Sequence, residues 1–320
     1  MSDAEQSPKV SILIPVWNRE SVILDTVRSA LEQKFSDFEV VVVDNASTDG
    51  TWNILLELQK EDSRLRIFRN ECNIGPVRNW LRCVEEARGE CSKILWSDDL
   101  ISPNYLEKTV PLLTSDTGFV YTAARVSFDQ GMEGGEIHYS NSELPSKYET
   151  SLFIDSVFQR GGDVPVSPGC ALLRTSDLRN VLDLNVANRI GSDFSMHAIG
   201  PDLLIFLRLC SQYNYVSFLN EPLSIFRAHE DSITVQESAT GKLVTMYNVA
   251  KGTFLEEVGV RGISEKSLRH FLKKLSSSRS LEKASSYGIA TWKDYFPSDE
   301  FSRELKRYLP LRRKINFFGK

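Results

Sequence analysis

The sequence lacks long hydrophobic runs: no stretch of about 18 uninterrupted apolar residues, the length that crosses a bilayer, occurs in its 320 residues. Its N-terminal stretch, MSDAEQSPKV, has neither the basic start nor the apolar core of a signal peptide. We therefore expect a cytoplasmic protein. With 41% hydrophobic and 25% charged residues the composition is that of an ordinary globular protein, and the length predicts about two structural units.

Cysteine is also scarce, with five scattered residues and no CxxC pair. This pattern argues against both a disulfide framework and a zinc cage. We expect reduced thiols, several of which serve as small core residues. The five are Cys72, Cys83, Cys91, Cys170 and Cys210.

Two glycine-rich phosphate-binding motifs are missing as well. No GxGxxG follows the first predicted strand, and no GxxxxGK[ST] occurs in the chain. Their absence argues against dinucleotide-dependent oxidoreductases and P-loop enzymes. A nucleotidyltransferase of similar fold would carry a glycine-rich basic loop after the first strand, where this sequence reads PVWNRE.

Charge is unevenly distributed along the chain, whose net charge is −5. Residues 261–320 contain 15 lysines and arginines against 6 aspartates and glutamates, a net charge of +9, which leaves −14 for the rest. The last segment, LRRKINFFGK, can lie on an anionic membrane surface because it sets basic residues beside an Ile-Phe-Phe cluster. Alternatively, the basic helices pack onto the acidic body or form a homodimer surface. No nucleic-acid-binding motif accompanies the charge, so we expect no nucleic-acid partner.

The first third of the chain alternates short apolar runs with amphipathic segments. This alternation indicates βαβ units, so we predict an α/β fold with a Rossmann-like, mostly parallel sheet flanked by helices, followed by a helical C-terminal extension. The predicted strands are 10–15, 38–43, 65–68, 93–96 and 119–122, and the predicted helices between them are 21–33, 51–60 and 76–87.

Aromatic and charged residues follow four of these strands. Trp17 follows the first, Asp44 follows the second, Arg78 follows the third, and Asp98 and Asp99 follow the fourth. Ligands of such sheets bind beyond the carboxyl ends of the strands, so we expect these side chains to share one rim. An aromatic face can stack on a nucleobase, and a guanidinium can meet phosphate. A carboxylate pair suits Mg²⁺ or Mn²⁺ bridging a diphosphate.

The motifs that carry these residues resemble those of a known family. ILIPVWNRE, VVVDNASTDGT, NECNIGPVRN and ILWSDDLISPNYLE, in this order and spacing, are similar to motifs of the family 2 glycosyltransferases of GT-A fold, which include enzymes of bacterial polysaccharide assembly. GPDLLIFLRL and FRAHEDSIT are similar to two later motifs of that family. The resemblance implies an inverting transferase that uses a nucleotide-sugar donor and a divalent metal.

The resemblance also implies a role for each matching residue. Asp202 is the expected base, which deprotonates an acceptor hydroxyl. Asp44 is the expected partner of a uracil imide, which favours UDP, although dTDP presents the same imide. Asp98, Asp99 and His229 are the expected metal ligands. The expected contacts with the donor are Pro15, Trp17, Asn18, Glu20, Asp44, Asn73, Arg78, Ser97, Asp98 and Arg227.

Two residues depart from the family's pattern. Trp96 replaces the first aspartate of the usual Asp-Ser-Asp-Asp, and Pro201 replaces the glutamate that normally precedes the base. Both departures leave open a non-catalytic relative that binds a sugar nucleotide or a glycan. Asp193 is the alternative base, and His197 is a candidate contact for the acceptor.

The resemblance divides the chain into three regions. Residues 1–122 are the expected sugar-nucleotide-binding half of a GT-A domain, residues 123–235 its acceptor-binding half, and residues 236–320 a basic helical region. The expected acceptor is a glycan, lipid-linked in many bacterial members of the family. Such an acceptor favours a place at the inner face of the membrane.

Overall fold

A mixed sheet with helices on both faces forms the body of the protein, whose computed structural model describes residues 7–127, 135–159, 163–228 and 241–309. The strands are β1 (Val10–Val16), β2 (Phe38–Asp44), β3 (Leu65–Arg69), β4 (Cys91–Ile94), β5 (Leu100–Ile101), β6 (Thr117–Ser127), β7 (Glu136–His138), β8 (Lys147–Glu149), β9 (Ala171–Arg174) and β10 (Tyr215–Arg227). The helices are α1 (Ile23–Leu31), α2 (Thr51–Glu61), α3 (Pro76–Glu86), α4 (Tyr105–Thr109), α5 (Thr150–Gln159), α6 (Thr175–Val181), α7 (Pro201–Gln212), α8 (Lys242–Val258), α9 (Glu265–Leu275), α10 (Ser278–Ala284) and α11 (Asp299–Leu305).

The strand order is β3-β2-β1-β4-β9-β6-β10-β5, with β7 beside β6 and β8 beside β10. The strands β3, β2, β1 and β4 are mutually parallel, as the βαβ pattern predicted. The second half is mixed, because β9 runs antiparallel to both β4 and β6. The chain builds outward from β1 to β3 and then returns to place β4 on the other side of β1. The order therefore reverses between β1 and β4. In α/β sheets, ligands bind at the carboxyl ends of the strands at such a reversal.

The predicted strands are confirmed in place, and the largest differences in extent are in β4 and β6. β1 and β2 are buried along their whole length, which explains their continuous valine and isoleucine runs. β4 ends at Ile94 because its pairing with β1 covers only four residues, so Trp96 lies outside the sheet. β6 extends to Ser127 because it pairs with β10 along most of its length. It therefore crosses the boundary at 122/123 between the two expected halves, whose separate roles stay a prediction.

Each face of the sheet carries its own apolar core. Helices α1, α2 and α4 cover one face, and α3, α5, α6 and α7 cover the other. The C-terminal helices join the second core: Phe271 of α9 packs edge-to-face on Phe158 of α5, with 5.0 Å between ring centroids. The described part of the basic region thus packs onto the body, which is one of the three interpretations that the sequence left open. The segment 311–320 lies outside the described residues.

Two expectations from composition concern cysteine and membrane-spanning helices. Cys83, Cys91, Cys170 and Cys210 are buried free thiols, whereas Cys72 is exposed. Among the helices of the described ranges, none combines the length and the apolar character that a membrane span requires.

Candidate active site

The loop after β1 is tied to the loop after β2 by two polar side chains. Asn18, in a left-handed conformation with φ of 51°, accepts the Thr48 N–H at 2.8 Å and donates its own N–H to Ser47 Oγ at 2.9 Å. Glu20 accepts the Gly50 N–H at 2.6 Å. These contacts shape the rim. Trp17 leaves the same turn with 48% of its surface exposed, free to offer a flat apolar face.

Asp44 closes β2 as an ion-paired, fully buried carboxylate. Its Oδ2 lies 3.0 Å from Arg69 Nε, and Ser47 donates its N–H to the same oxygen at 3.2 Å. Arg69 also lies over the Trp52 ring, 5.2 Å from the centroid, and donates to the Ser47 carbonyl. Pro15 is buried within β1, in register with Val43, the residue before Asp44.

The loop after β3 is fixed by amide side chains. Asn45 donates to Asn73 Oδ1 at 2.9 Å, and Gly75 donates its N–H to the same oxygen at 3.0 Å. Arg78, in the first turn of α3, donates to Ser195 Oγ in the segment before α7. Asn73 therefore orders the turn, and Arg78 connects the turn to the segment that carries Ser195.

The Asp98–Asp99 pair is held by two arginines. Asp98 Oδ2 lies 3.5 Å from Arg19 Nε, and Asp99 Oδ1 accepts the Arg227 backbone N–H at 3.0 Å. The Arg227 side chain is turned inward, 3% exposed, and donates to the Asp98 carbonyl and to Thr26 Oγ1. Burial, followed by the charge of Asp98, raises the pKa of Asp99 well above its usual range. Arg227 thus holds both aspartates through hydrogen bonds from the buried side of their loop.

Of the two carboxylates, Asp98 is the better placed to meet a cation. Its side chain keeps 18% of its surface exposed, whereas Asp99 is buried against Arg227. In the described residues no cluster of three or more His, Cys, Asp or Glu side chains could enclose a metal. The set still fits Mg²⁺ or Mn²⁺ held by one carboxylate and the diphosphate of a donor, the usual arrangement in nucleotide sites. His229 lies outside the described residues. Ser97 orders this loop, since its carbonyl accepts the Thr26 hydroxyl at 3.1 Å.

Asp202 lies in the first turn of α7, with 6% of its surface exposed. Its Oδ1 accepts the N–H groups of Gly200 and Leu203, both at 2.8 Å, and its Oδ2 accepts the Tyr247 hydroxyl at 2.7 Å. Burial raises the pKa of Asp202 to about 7, and the hydrogen bonds oppose that rise. A carboxylate with such a pKa is suited to exchange a proton with a hydroxyl near neutral pH.

The turn that presents Asp202 depends on the two residues before it. Gly200 has φ of +111°, a region that favours glycine, and a Cβ there would lie 2.7 Å from the Phe194 ring. Pro201 occupies the first helical position, where its missing N–H costs little. The proline that replaces the family's glutamate therefore starts the helix that carries the carboxylate.

Trp96 does not enter the carboxylate rim. Its ring packs on Trp80, with 4.7 Å between centroids, and its Nε1 donates to Ser167 Oγ at 2.8 Å. Gly169 lies so close to the indole that a Cβ there would come within 2.6 Å of Nε1. The residue that replaces the family's first aspartate therefore fastens the end of β4 to the segment before β9.

The alternative base, Asp193, is engaged in its own turn. It accepts the Ser195 N–H at 2.9 Å, and the Ser195 hydroxyl and N–H lower the pKa of Asp193 below its usual value. His197 lies against the Phe194 ring, 4.8 Å between centroids, and its Nε2 is 2.9 Å from Ser192 Oγ. A carboxyl with a lowered pKa is a weaker proton acceptor than Asp202.

Together these contacts make one continuous rim. Arg19, in the loop after β1, contacts Asp98 in the loop after β4, and Arg78, in the first turn of α3, contacts Ser195. Phe194 then abuts Gly200, which precedes Asp202. The rim therefore unites the proposed donor residues with the proposed base, although the role of each one stays a prediction.

Three residues of the site escaped the sequence interpretation. Arg19 stands within the quoted PVWNRE motif, so its position was available, but its partner Asp98 lies far along the chain. Arg69 directly follows the predicted strand 65–68 and ends the observed β3, and it carried no signal of its own. Tyr247 reaches Asp202 from α8, 45 residues away, and no local pattern could have indicated that contact.

The chain matches a known protein family. The profile of glycosyl transferase family 2 matches residues 11–182, which include every rim loop from β1 to β4. The chain belongs to glycosyl transferase family 2.

One curated relative and two solved structures illustrate the similarity. A putative teichuronic acid biosynthesis glycosyltransferase, TuaG of Bacillus subtilis, is 36% identical over 106 residues, which cover 33% of this chain and 42% of the relative. S. aureus TarS 1-349 in complex with UDP-GlcNAc has a TM-score of 0.58 at 18% identity, with 92% of each chain covered. The mannosyltransferase PcManGT from Pyrobaculum calidifontis, in complex with GDP-Man and Mn²⁺, has a TM-score of 0.54 at 15% identity, covering 95% of this chain and 83% of that one. These structures share the GT-A fold with this protein.

Proposed function

We propose that the protein is an inverting glycosyltransferase that moves a sugar from a UDP-linked donor to a hydroxyl of a glycan acceptor in bacterial polysaccharide synthesis. The observation that supports the proposal is the series of contacts that runs from Arg19 and Asp98 through Arg78 and Ser195 to the turn before Asp202. We assign Asp44 and Asp98 to the donor and Asp202 to the acceptor. The activity is a proposal because the match to TuaG spans 42% of that relative's length.

The donor nucleotide follows from the chemistry of Asp44. Its carboxylate, held by Arg69, is an acceptor at the end of β2, and a uracil imide offers the matching N–H. Thymine has the same imide, so dTDP-sugars are the alternative. Trp17 offers the exposed ring for the base. TarS is a neighbour that was solved with UDP-GlcNAc, and PcManGT with GDP-Man, so the fold alone does not choose the nucleotide.

The metal belongs to the donor side of the proposal. Asp98 would hold Mg²⁺ or Mn²⁺ together with the diphosphate, with Asp99 behind it and His229 as a further expected ligand. When bound, the ion would offset the negative charge that develops on the leaving diphosphate. The chain's own Arg19, 3.5 Å from Asp98, would orient that carboxylate.

Asp202 would act as the general base in a single displacement. It takes the proton of the acceptor hydroxyl while the acceptor oxygen bonds to the anomeric carbon and the bond from that carbon to the diphosphate breaks. UDP leaves from the opposite face, so the anomeric configuration inverts. The buried setting that raises the pKa of Asp202 to about 7 keeps its carboxylate a competent acceptor near neutral pH.

The test is transfer by Asp202→Asn and Asp193→Asn beside the wild type. UDP-GlcNAc serves as the first donor, with free saccharides and polyprenyl-diphosphate-linked saccharides as acceptors, and UDP release is measured alongside donor binding. We expect Asp202→Asn to lose at least 100-fold in turnover, on the order of a general base's contribution, with donor binding retained. Loss in Asp193→Asn alone would reassign the base. Donor binding without turnover in the wild type would instead identify a non-catalytic relative.

We also propose that the basic region 261–320 binds anionic membrane, which would bring the enzyme to a lipid-linked acceptor. The outer face of α9 carries exposed Lys266, Lys273 and Lys274. Vesicle co-sedimentation tests this, with phosphatidylglycerol against phosphatidylcholine. Lys273→Glu with Lys274→Glu should release the protein from the anionic vesicles. A matched double reversal on the opposite face of the sheet, Arg28→Glu with Lys60→Glu, should not. If both double variants lost vesicle binding equally, the effect would be one of net charge alone. A homodimer detected by light scattering would favour the alternative, in which this face is a dimer surface.

A further inference from the structure

The C-terminal helical region contributes one side chain to the candidate base. Tyr247 lies in the second turn of α8, and its hydroxyl donates to Asp202 Oδ2 at 2.7 Å. Met246 and Val249, its neighbours on the helix, are buried in the core shared with α7, so the backbone that carries Tyr247 is fixed. The contact therefore joins the region after the family match to the residue proposed to carry the chemistry.

The surroundings of Asp202 leave Tyr247 as its main side-chain partner. Oδ1 is occupied by two backbone N–H groups, those of Gly200 and Leu203. Within the described ranges, the titratable groups that interact with the carboxylate are Tyr247 from α8 and Tyr139 from the loop after β7. Burial, followed by the charge of Asp202, raises the pKa of Tyr247 well above its usual range, so its phenol keeps the proton.

We propose that Tyr247 is a positioning residue for Asp202: its hydroxyl fixes the orientation of Oδ2 toward the acceptor and stabilises the ionised form of the base. This inference rests on the proposed function of Asp202. Tyr247 donates one hydrogen bond throughout the reaction and gives up no proton. The acceptor's proton goes to the carboxylate, and the phenol limits the rotation by which that carboxylate could turn away from the acceptor.

The physical consequence is a dependence of the Asp202 titration on residue 247. A hydrogen bond to a carboxylate favours its charged form. Burial raises the pKa of Asp202, and the hydrogen bond from Tyr247 opposes that rise. Removing the phenol hydroxyl should therefore raise the pKa of Asp202. A hydrogen bond to a charged group corresponds to about one pH unit or more. Below both midpoints, a rise of one unit lowers the ionised fraction about tenfold.

The experiment is an NMR titration of the full chain labelled with ¹³C at the aspartate carboxyls, with the Asp202 signal assigned by its absence in Asp202→Asn. The wild type should titrate near neutral pH, and Tyr247→Phe should titrate about one unit higher or more. Tyr213→Phe is the matched control, because it removes a tyrosine–aspartate hydrogen bond of the same 2.7 Å length, to Asp177, away from the site. That variant should leave the Asp202 midpoint unchanged. Equal midpoints in Tyr247→Phe and wild type would overturn the proposal.

A second variant decides the question should Tyr247→Phe fail to fold. Incorporation of 3,5-difluorotyrosine at position 247 keeps the ring and makes the phenol a stronger donor, so the Asp202 midpoint should fall below that of the wild type. An unmoved midpoint there also overturns the proposal. Turnover of Asp202→Asn separates the two ideas: if this variant is inactive while Tyr247→Phe titrates normally, the base role stands and the positioning role fails. If Asp202→Asn is active, the base role fails even where the midpoint shifts, and the positioning role falls with it.

Discussion

Arg69 and Asp44 form an ion pair across neighbouring strands, with 3.0 Å between Arg69 Nε and Asp44 Oδ2. The carboxylate is fully buried, whereas the arginine keeps 39% of its side chain exposed and lies over the Trp52 ring. An aspartate that is expected to read a nucleobase is therefore held in place by a residue that the family's motifs do not indicate. We therefore expect Arg69 to contribute to stability and, through Asp44, to donor binding.

The first prediction concerns Arg69→Gln. Removing the guanidinium leaves a buried carboxylate without its cation, so the free energy of unfolding should fall by about 1–3 kcal/mol, less than for a fully buried pair because Arg69 is partly solvated. Urea denaturation measures the change. Lys60→Gln is the control, since Lys60 and Glu57 form an exposed pair that should contribute about 0.5 kcal/mol or less. Equal losses in the two variants would contradict a supporting role for Arg69.

The second prediction is a pH dependence of stability from Asp202. Its pKa of about 7 in the folded protein lies above the unfolded value of about 3.9. The native state therefore binds the proton more tightly, so this group's contribution is complete below about pH 4 and is lost as pH rises toward 7. Asp202→Asn removes the free-energy cost of holding an ionised carboxylate in this buried position. It should raise the free energy of unfolding by about 2–4 kcal/mol at pH 8 and change it little at pH 4. Denaturant titrations at both pH values measure the difference, and a gain of the same size at each would contradict the assignment.

The third prediction concerns Gly200→Ala. The positive φ strains any L-residue by about 1 kcal/mol, and the added Cβ must also displace the Phe194 ring. Gly191→Ala is the matched control, because Gly191 has φ of +65° with nothing within 4 Å of its Cβ position. Gly200→Ala should therefore lower the melting temperature more than Gly191→Ala and reduce turnover, since it shifts the N–H that Asp202 accepts. Equal melting temperatures in the two variants would indicate that Phe194 gives way.

The fourth prediction concerns Trp96→Asp, which restores the family's carboxylate. Because Trp96 packs on Trp80 and donates to Ser167, the substitution should cost about 2–4 kcal/mol of stability and should not strengthen metal-dependent nucleotide binding. Trp96→Phe keeps most of the packing and should cost about 1 kcal/mol for the lost hydrogen bond. Thermal unfolding and calorimetry with Mn²⁺ measure the two effects. Tighter metal-dependent nucleotide binding by Trp96→Asp would contradict this packing role of Trp96.

The grouping of the strand-end residues that we assign to the donor follows in large part from the sequence. Strand periodicity places the carboxyl ends of β1, β2 and β4 together, so Trp17, Asp44 and Asp98 were predictable as a group. The family resemblance singled out Asp202, and the structure gives it a buried position at a helix start. The resemblance also placed Arg227 beside the donor, whereas its guanidinium faces inward beneath Asp98. Sequence patterns identify which loops meet, but they do not tell which way a long side chain turns.

The contacts that sequence could not supply are long-range and made by ordinary residues. Tyr247 belongs to a helix whose apolar face reads as core, and only the packing of α8 on α7 brings its hydroxyl to Asp202. Trp96 and Pro201 looked like losses from a catalytic motif. In the structure, Trp96 packs on Trp80, and Pro201 begins a helix directly after Gly200.

The most direct test of the donor site is calorimetric titration of the wild type and Asp98→Asn with UDP, dTDP and GDP, each with Mn²⁺ and with EDTA. We expect the wild type to bind UDP or dTDP more tightly with Mn²⁺ than with EDTA and to bind GDP more weakly, and we expect Asp98→Asn to lose the Mn²⁺ effect. If no nucleotide binds under either condition, or if GDP binds most tightly, the assignment of Asp44 and Asp98 to a uridine-type donor is contradicted.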